Sequence, residues 1–456
     1  MNNPTVPDQQ PMLVHPSRCK RPKLLHFGRV LAAVLLLVLV GGCATYRPRN
    51  APPQSEEAFI QMPGFNQEVR TWGDVENAAF RRSIADAFAR EIAATASADT
   101  NTSPVYCDIL AISGGAANGA YGAGFLTGWS QTGKRPKFKI VTGISTGALM
   151  APFAFLGEEY DGLMSALYTN VSTREIFLFR MIDLLGLFTR DHVANTRPLR
   201  QLVYNSYDEY LIERVAAEHR RGRRLFVGTT ALDAQRPVIW DMGAIAASGH
   251  PRRSTLFREI LLASSAIPVA FPPVYLDVEA NGRKFDEMHV DGGLINQVFI
   301  YDAVWDALKA MSKEANRPIQ ARLFVIRNNH LTADWQEVPA RVVPIAKRSL
   351  STIVKSNSYG DLFRLYTRTR DHGAQFYLTS IPQDFTLDRK EEFDRETMRA
   401  LYRRGFEEAN QPDGPPWIER FDGPPGGLEV YHPTPSQTTP PQPSKRSPSS
   451  NSKKRP

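Results

Sequence analysis

Three short stretches of this 456-residue sequence carry residue types at spacings that could do acyl-transfer chemistry. Gly143-Ile144-Ser145-Thr146-Gly147 sets a serine between two glycines. Such a serine projects its hydroxyl from a tight strand-to-helix turn, where the two elements approach too closely for side chains two residues either side. The helix that follows also aims N–H groups and a positive dipole end at developing negative charge. Ser145 is therefore a candidate nucleophile. Upstream, Ser113-Gly114-Gly115-Ala116-Ala117-Asn118-Gly119 and the glycines to Gly124 form a second stretch. A Gly-rich turn exposes several backbone N–H groups at once, a nest for a nucleotide phosphate or for the oxyanion of acyl transfer. The spacing departs from G-x-G-x-x-G and no acidic residue is placed for a ribose, which disfavours a dinucleotide. Close packing of a small-residue helix explains Ala120 to Gly124, but not the Gly114-Gly115 pair. The third stretch is Asp291-Gly292-Gly293. Alone it reads as a turn; beside the other two it reads as part of a site.

These residues need elements to hold them. Val105 to Ile112 is a short apolar run, a buried strand leading into the glycine turn, and 114–128 continues as a helix. Phe138 to Val141 is the next strand, ending at the Gly143–Gly147 turn, with a helix over 146–155. Residues 160–220 read as mostly helical, 224–230 and 238–240 as strands, and 255–264 as a helix. Lys284 to Val290 leads into Asp291, and Leu323 to Ile326 is a further strand. Helices near 346–371 and 395–409 flank a strand near 375–379. Strands alternating with helices imply a single α/β domain, a mostly parallel sheet flanked by helices on both faces. A helical pattern over 74–96 precedes it, with Asp74 as expected N-cap.

The three motifs, in this order, resemble the patatin-like phospholipase family. So does Ala263-Ser264-Ser265-Ala266-Ile267-Pro268-Val269-Ala270-Phe271-Pro272-Pro273, similar to that family's A-S-x-A-x-P-x-x-F-x-P block. The resemblance spans about 108–300. It implies a lipid acyl hydrolase with a Ser-Asp dyad: Ser145 the nucleophile, Asp291 the base, and N–H groups of Gly114, Gly115 and Ala116 the oxyanion hole. Gly119, Gly143, Gly147, Gly292 and Gly293 fall at its motif glycines. The family's third turn glycine and frequent arginine are here Ala116 and Asn118, and Asn296-Gln297-Val298 lacks the proline of its N-x-P.

A Ser-His-Asp triad would need a late histidine, for which His330 and the Asp371-His372 pair qualify on order alone. His372 lies in a charged helical stretch, and His289 shares a strand face with Asp291 as a neighbour of the site. The aromatic-rich 160–190 region reads as core helices, with a lid or acyl groove as the alternative. No His/Cys/Asp cluster has metal-ligand spacing, so neither metal nor other cofactor is expected. The other rival, a catalytically idle envelope lipoprotein that binds lipid or a protein, gives no reason to retain both Ser145 and Asp291.

The formal charge of +8 invites a nucleic-acid reading. Its origin argues otherwise. Residues 1–42 and 432–456 together hold ten basic residues and one acid, leaving the body nearly neutral. A basic stretch ending at Arg29, eleven apolar residues from Val30 to Val40, and Gly41-Gly42-Cys43 read as an export signal. The apolar run is too short for a spanning helix. Small residues before a cysteine resemble a lipobox, which implies acylation of Cys43, a bacterial envelope location and, with Ala44 next, the outer membrane. Met12 is an alternative start. The expected partners are therefore membrane lipid as substrate and the membrane as anchor. Of three cysteines, only Cys43 and Cys107 would survive cleavage, so no disulfide is expected, and Cys107 sits in an apolar strand. The organisation expected is a lipoprotein signal over 1–42, a tether over 43–73, a helical extension over 74–104, and a catalytic core over 105–300. An α/β completion of the same domain follows over 301–431, then a disordered basic Pro/Ser-rich tail over 432–456.

Overall fold

The computed structural model describes residues 49–65, 69–96, 105–177, 195–314, 319–386 and 391–421. The expected signal over 1–42, Cys43 and the expected tail over 432–456 lie outside the described residues.

Nine strands among the described residues form one sheet. They are β1 (Arg70–Trp72), β2 (Val105–Ile112), β3 (Ile140–Ile144), β4 (Arg224–Ala231), β5 (Arg236–Asp241), β6 (Val274–Ala280), β7 (Arg283–Asp291), β8 (Ile319–His330) and β9 (Gln375–Ile381). The path runs β1-β5-β4-β3-β2-β8-β9, with β7 paired to both β4 and β6. The block β4-β3-β2-β8-β9 is parallel, while β1, β5, β6 and β7 join antiparallel. The mostly parallel sheet follows from the alternation of strands and helices. The short β1 and the polar, alternating β6 are additions with no strong apolar signal.

Side chains alternate across the sheet. On β2, Cys107, Ile109 and Ala111 enter one core with Phe80, Ile84 and Phe88 of the Ala78–Ala96 helix. Leu110 and Ile112 enter the other, with Phe125, Trp129, Phe153 and Leu401. Both faces are thus covered, as near-continuous apolar strands require. Burial raises the Cys107 thiol far above its ordinary value, leaving it an inert core group.

Two local expectations change. Asp74 does not cap the first helix: it accepts three bonds from the Arg236 guanidinium, and Asn77 Oδ1 instead accepts from the N–H groups of Ala79 and Phe80. A carboxylate near a guanidinium gains a charge-assisted pair that outweighs a lone cap bond. Residues from Arg49 onward, expected within a tether, are laid along the β6–β7 hairpin. Arg49 pairs with Asp233 and Asp286, and Gln61 bridges to Glu279. No helix of the described residues is long and apolar enough to cross a membrane.

Candidate active site

The site lies at the C-terminal ends of the parallel strands, where open α/β sheets place their ligands. β3 pairs with β4 as far as Ile144 opposite Gly228, then turns away at Ser145. The next residue of β4, Thr229, pairs with Asp291 at the end of β7. β7 thus enters antiparallel along the β4 edge that β3 has just vacated. Two residues 146 apart in sequence are brought together: Ser145 Oγ donates to Asp291 Oδ2 at 2.6 Å.

Ser145 has φ 55 and ψ −124, far from the helical and strand regions. Such strain persists only where the surroundings over-determine it. A side chain on Gly143 would collide with the carbonyl of Gly147, and one on Gly147 with that of Ile112. The Ser145 N–H donates to Ser264 Oγ (3.0 Å), whose own hydroxyl donates to the Gly228 carbonyl (2.7 Å). The helix Thr146–Leu156 starts directly after.

Asp291 is fixed at both oxygens, since Oδ1 accepts the Gly293 N–H at 2.7 Å. Gly292 and Gly293 form the short turn that supplies this donor. Burial pushes the carboxyl up to about 6 from its ordinary 3.8, against the Ser145 and Gly293 bonds that lower it. Such a carboxyl still ionises at neutral pH, yet holds a proton far better than an exposed one.

The glycine turn stands beside the nucleophile: a methyl on Gly114 would lie 3.2 Å from Ser145 Cβ. Its donors differ from the expectation in one respect. The Gly114 N–H donates to the Gln297 carbonyl at 3.2 Å, so it is not available for an oxyanion. The N–H groups of Gly115 and Ala116 have no acceptor among the described residues. Ala116 has φ 48, so this turn does demand the left-handed conformation that glycine takes at no cost. Gly119 opens the helix Gly119–Gln131 and abuts Thr146. Asn118, at the family's arginine position, donates to Asn329.

Sequence reasoning did not single out the residues that hold this frame. Asn328, fully buried at the end of β8, donates from Nδ2 to the Ser113 carbonyl (2.9 Å) and accepts the Gly122 N–H at Oδ1 (3.1 Å). Gln297 joins the glycine turn to the Asp-Gly-Gly turn by donating from Nε2 to the Gly293 carbonyl (2.6 Å). Its own N–H donates to Asp361 (2.7 Å). The one available signal was polar residues directly after the apolar strand ends, as in Arg327-Asn328-Asn329.

The histidines stand apart from the reacting pair. His372 stacks on Trp305 and bonds the Arg368 carbonyl. His289 bonds Thr229 Oγ1 (2.9 Å) and Glu287 Oε2 (2.8 Å), so both ring nitrogens are occupied. His330 closes β8, its carbonyl accepting from Arg327.

Leu167, Tyr168, Val171 and Ile176, expected mainly as core, also line an apolar cleft with Leu199, Leu202 and Val203. The cleft reaches Ala116 of the glycine turn and Thr146 beside the nucleophile. Residues 178–190 of the region expected as core helices, with a lid or acyl groove as the alternative, lie outside the described residues.

Residues 110–304, under half of the chain, match the family described as Patatin-like phospholipase. No curated protein matches the sequence. Among solved structures, VipD from Legionella pneumophila is similar at 12% identity and TM-score 0.32, over 67% of this chain and 66% of its own. The type III effector protein ExoU is similar at 12% identity and TM-score 0.30, over 67% of this chain and 54% of its own. The chain therefore spans just under two thirds of the first and about half of the second. With the family match over 110–304 and a mostly parallel sheet flanked by helices, the fold is the patatin fold, and the matched region supports lipid acyl hydrolysis in general.

Proposed function

We propose that this protein hydrolyses carboxylic esters of lipids through a Ser145–Asp291 dyad, in the manner of a phospholipase A or lipid acyl hydrolase. The observation that carries this reading is the 2.6 Å bond from the strained Ser145 hydroxyl to a buried carboxylate. Asp291 takes the Ser145 proton as Oγ bonds to the ester carbonyl carbon. The carbonyl oxygen becomes an oxyanion, held by the N–H groups of Gly115 and Ala116. The ester bond breaks as the leaving alcohol takes the proton from Asp291, leaving an acyl-enzyme. Asp291 then deprotonates water, which attacks the acyl carbon; as the acyl–Oγ bond breaks, Asp291 returns that proton to Ser145 Oγ and the fatty acid leaves. The apolar cleft beside Thr146 and Ala116 suits the acyl chain.

A series of water-soluble esters of increasing acyl length tests the reading. Ser145→Ala and Asp291→Asn should each lose about 10³-fold or more in kcat/KM. Replacing His330 and His372 should leave it within about two-fold. Full activity in Ser145→Ala would sink the dyad, and no hydrolysis of any ester by the wild-type chain would return the idle, lipid-binding alternative.

The N-terminal pattern supports a second part of the reading: export to a bacterial envelope, most simply the outer membrane, on an acylated Cys43. Several acyl chains at about 0.8 kcal/mol per buried CH₂ anchor a protein essentially permanently. Cells fed labelled palmitate should label the wild-type chain and not Cys43→Ser; equal labelling of both would rule the anchor out.

A further inference from the structure

The helix Val342–Asp371 is built in two halves. Its C-terminal half is packed into the body through Leu362, Leu365 and Thr369. Residues 342–357 contain no buried residue, although an apolar side chain there is as costly to leave in water as elsewhere. At 1.5 Å per residue this exposed half runs about 24 Å.

Its apolar residues are not scattered. Val342, Ile345, Ala346, Leu350 and Ile353 recur at helical spacing and share one face. That face points to solvent: Val342 is 84% exposed, Ile353 54%, and Trp335, on the segment leading into the helix, 90%. The opposite side carries the basic residues. From 341 to 360 the sequence has Arg341, Lys347, Arg348 and Lys355 and no acid. Lys355 reaches down to Asp334 (2.8 Å) and Arg348 bonds the Asp334 carbonyl, which turns the apolar stripe outward. Isolated apolar residues on a surface need no explanation, but an ordered stripe beside a tryptophan does.

This half-helix also flanks the site. Ser351, Val354, Lys355 and Ser358 line a cleft whose other wall includes Ser113, Gly114 and Gln297. Asp361, further along the same helix, accepts the N–H of Gln297, whose carbonyl holds Gly114. One continuous helix therefore joins the outward stripe to the residues that hold the glycine turn.

We propose that the stripe Val342–Ile353 is a docking face for an anionic phospholipid bilayer. An apolar face flanked by the exposed Arg341 and by Lys347, which lies 4.0 Å from Glu392 yet is 82% exposed, with an exposed tryptophan beside it, matches the layered chemistry of such a surface: acyl chains below, phosphates above. The proposal rests on the acyl-hydrolase reading for its kinetic consequence, that docking delivers substrate to Ser145; binding itself is independent of it.

The test uses the full chain with Cys19→Ser and Cys43→Ser, which leaves only the buried Cys107, and a polarity-sensitive fluorophore on Ile353→Cys. Phosphatidylcholine vesicles containing about one third phosphatidylglycerol should shift its emission to the blue, and pure phosphatidylcholine should do so less. In parallel, the combined Val342→Glu, Ile345→Glu and Ile353→Glu variant should lose about ten-fold or more in hydrolysis of vesicle phospholipid. It should keep hydrolysis of a soluble ester within about two-fold. Unchanged emission on adding vesicles overturns the proposal. So does a shift that appears without vesicles and rises with protein concentration, which would make the stripe a contact between two copies. If the wild-type chain hydrolyses no ester, the hydrolase reading fails while the emission measurement still decides docking.

Discussion

Asp291 is the residue on which both rate and stability turn. Burial lifts its carboxyl to about 6, so it is ionised and able to accept the Ser145 proton only above that pH. The expected profile of kcat/KM on a soluble ester falls about ten-fold per pH unit below about 6 and is level above it. A profile flat from pH 5 to about 8 would count against Asp291 as base. The same burial has an opposite consequence for folding. Because the folded value lies above 3.8, the native state keeps this proton where the unfolded chain has lost it. Stability therefore declines as pH rises from about 4 through about 6. Asp291→Asn removes the buried charge and should be more stable than wild type at pH 7, on the order of 1–3 kcal/mol by denaturant titration, while inactive. Below about pH 4 the difference should vanish. Ala116 belongs to the same scale. Its identity was plain in the sequence, but the φ of 48 was not, because nothing local to Ala116 requires it. The glycine before it, pressed against the Asn328 carbonyl, and the docking of the following helix on the sheet impose it.

At the scale of elements, the dyad depends on register. β3 leaves the sheet at Ile144 and β7 takes its place opposite Thr229, so a slip of one residue in β7 would turn Asp291 to the other face. Two buried hydroxyl bonds hold the turn: Ser145 N–H to Ser264 Oγ, and Ser264 Oγ to the Gly228 carbonyl. Ser264→Ala leaves a buried donor and a buried acceptor without partners, which costs about 1–3 kcal/mol each. The expected outcome is a fall in melting temperature and a lower kcat with little change in KM, since the loosened group is Ser145 itself. A variant with native stability and kcat would show that the turn needs no such tie. The strand, turn and helix around Ser145 were legible because each is a local pattern, apolar run then glycines then apolar helix. Ser264 was visible only as one residue of a family-like block, and its bond to Ser145 spans 119 residues of sequence. The roles of Asn328 and Gln297 were not legible, because a polar side chain that braces a turn leaves no periodicity and the polar run at 327–329 does not say what it holds.

For the whole molecule, two apolar cores sandwich one sheet, and the polar groups buried at its edge are paired. Arg70 on β1 forms an ion pair with Glu287 on β7, which in turn bonds His289, and His289 bonds Thr229. Burial alone would raise the Glu287 carboxyl, but Arg70 and His289 hold it well below the usual range. This chain ties β1, added at the far edge, to the strand that carries Asp291. Arg70 and Glu287 are 217 residues apart, and His289 was read as a neighbour of the site without this role. The exposed stripe of the Val342–Asp371 helix is the counterpart on the surface. Its helical period is in the sequence, yet period alone predicts a face turned to the core; only the packing of the helix reveals that this face is left outside.

By itself the sequence determined the α/β layering and the turn that presents Ser145, while Asp291 as its partner was what the family resemblance implied. The layering and the turn follow from short-range rules, since apolar period and glycine clearance each act over a few residues. The tertiary structure alone decided which N–H groups of the glycine turn stay free, what raises Asp291, and which residues brace the pair. Those depend on groups far apart in the chain: Gln297 taking the Gly114 donor, burial of Asp291 by the completed sheet, and Asn328 and Ser264 arriving from other elements. Burial and long-range hydrogen bonding are properties of the packed chain, and no local pattern encodes them.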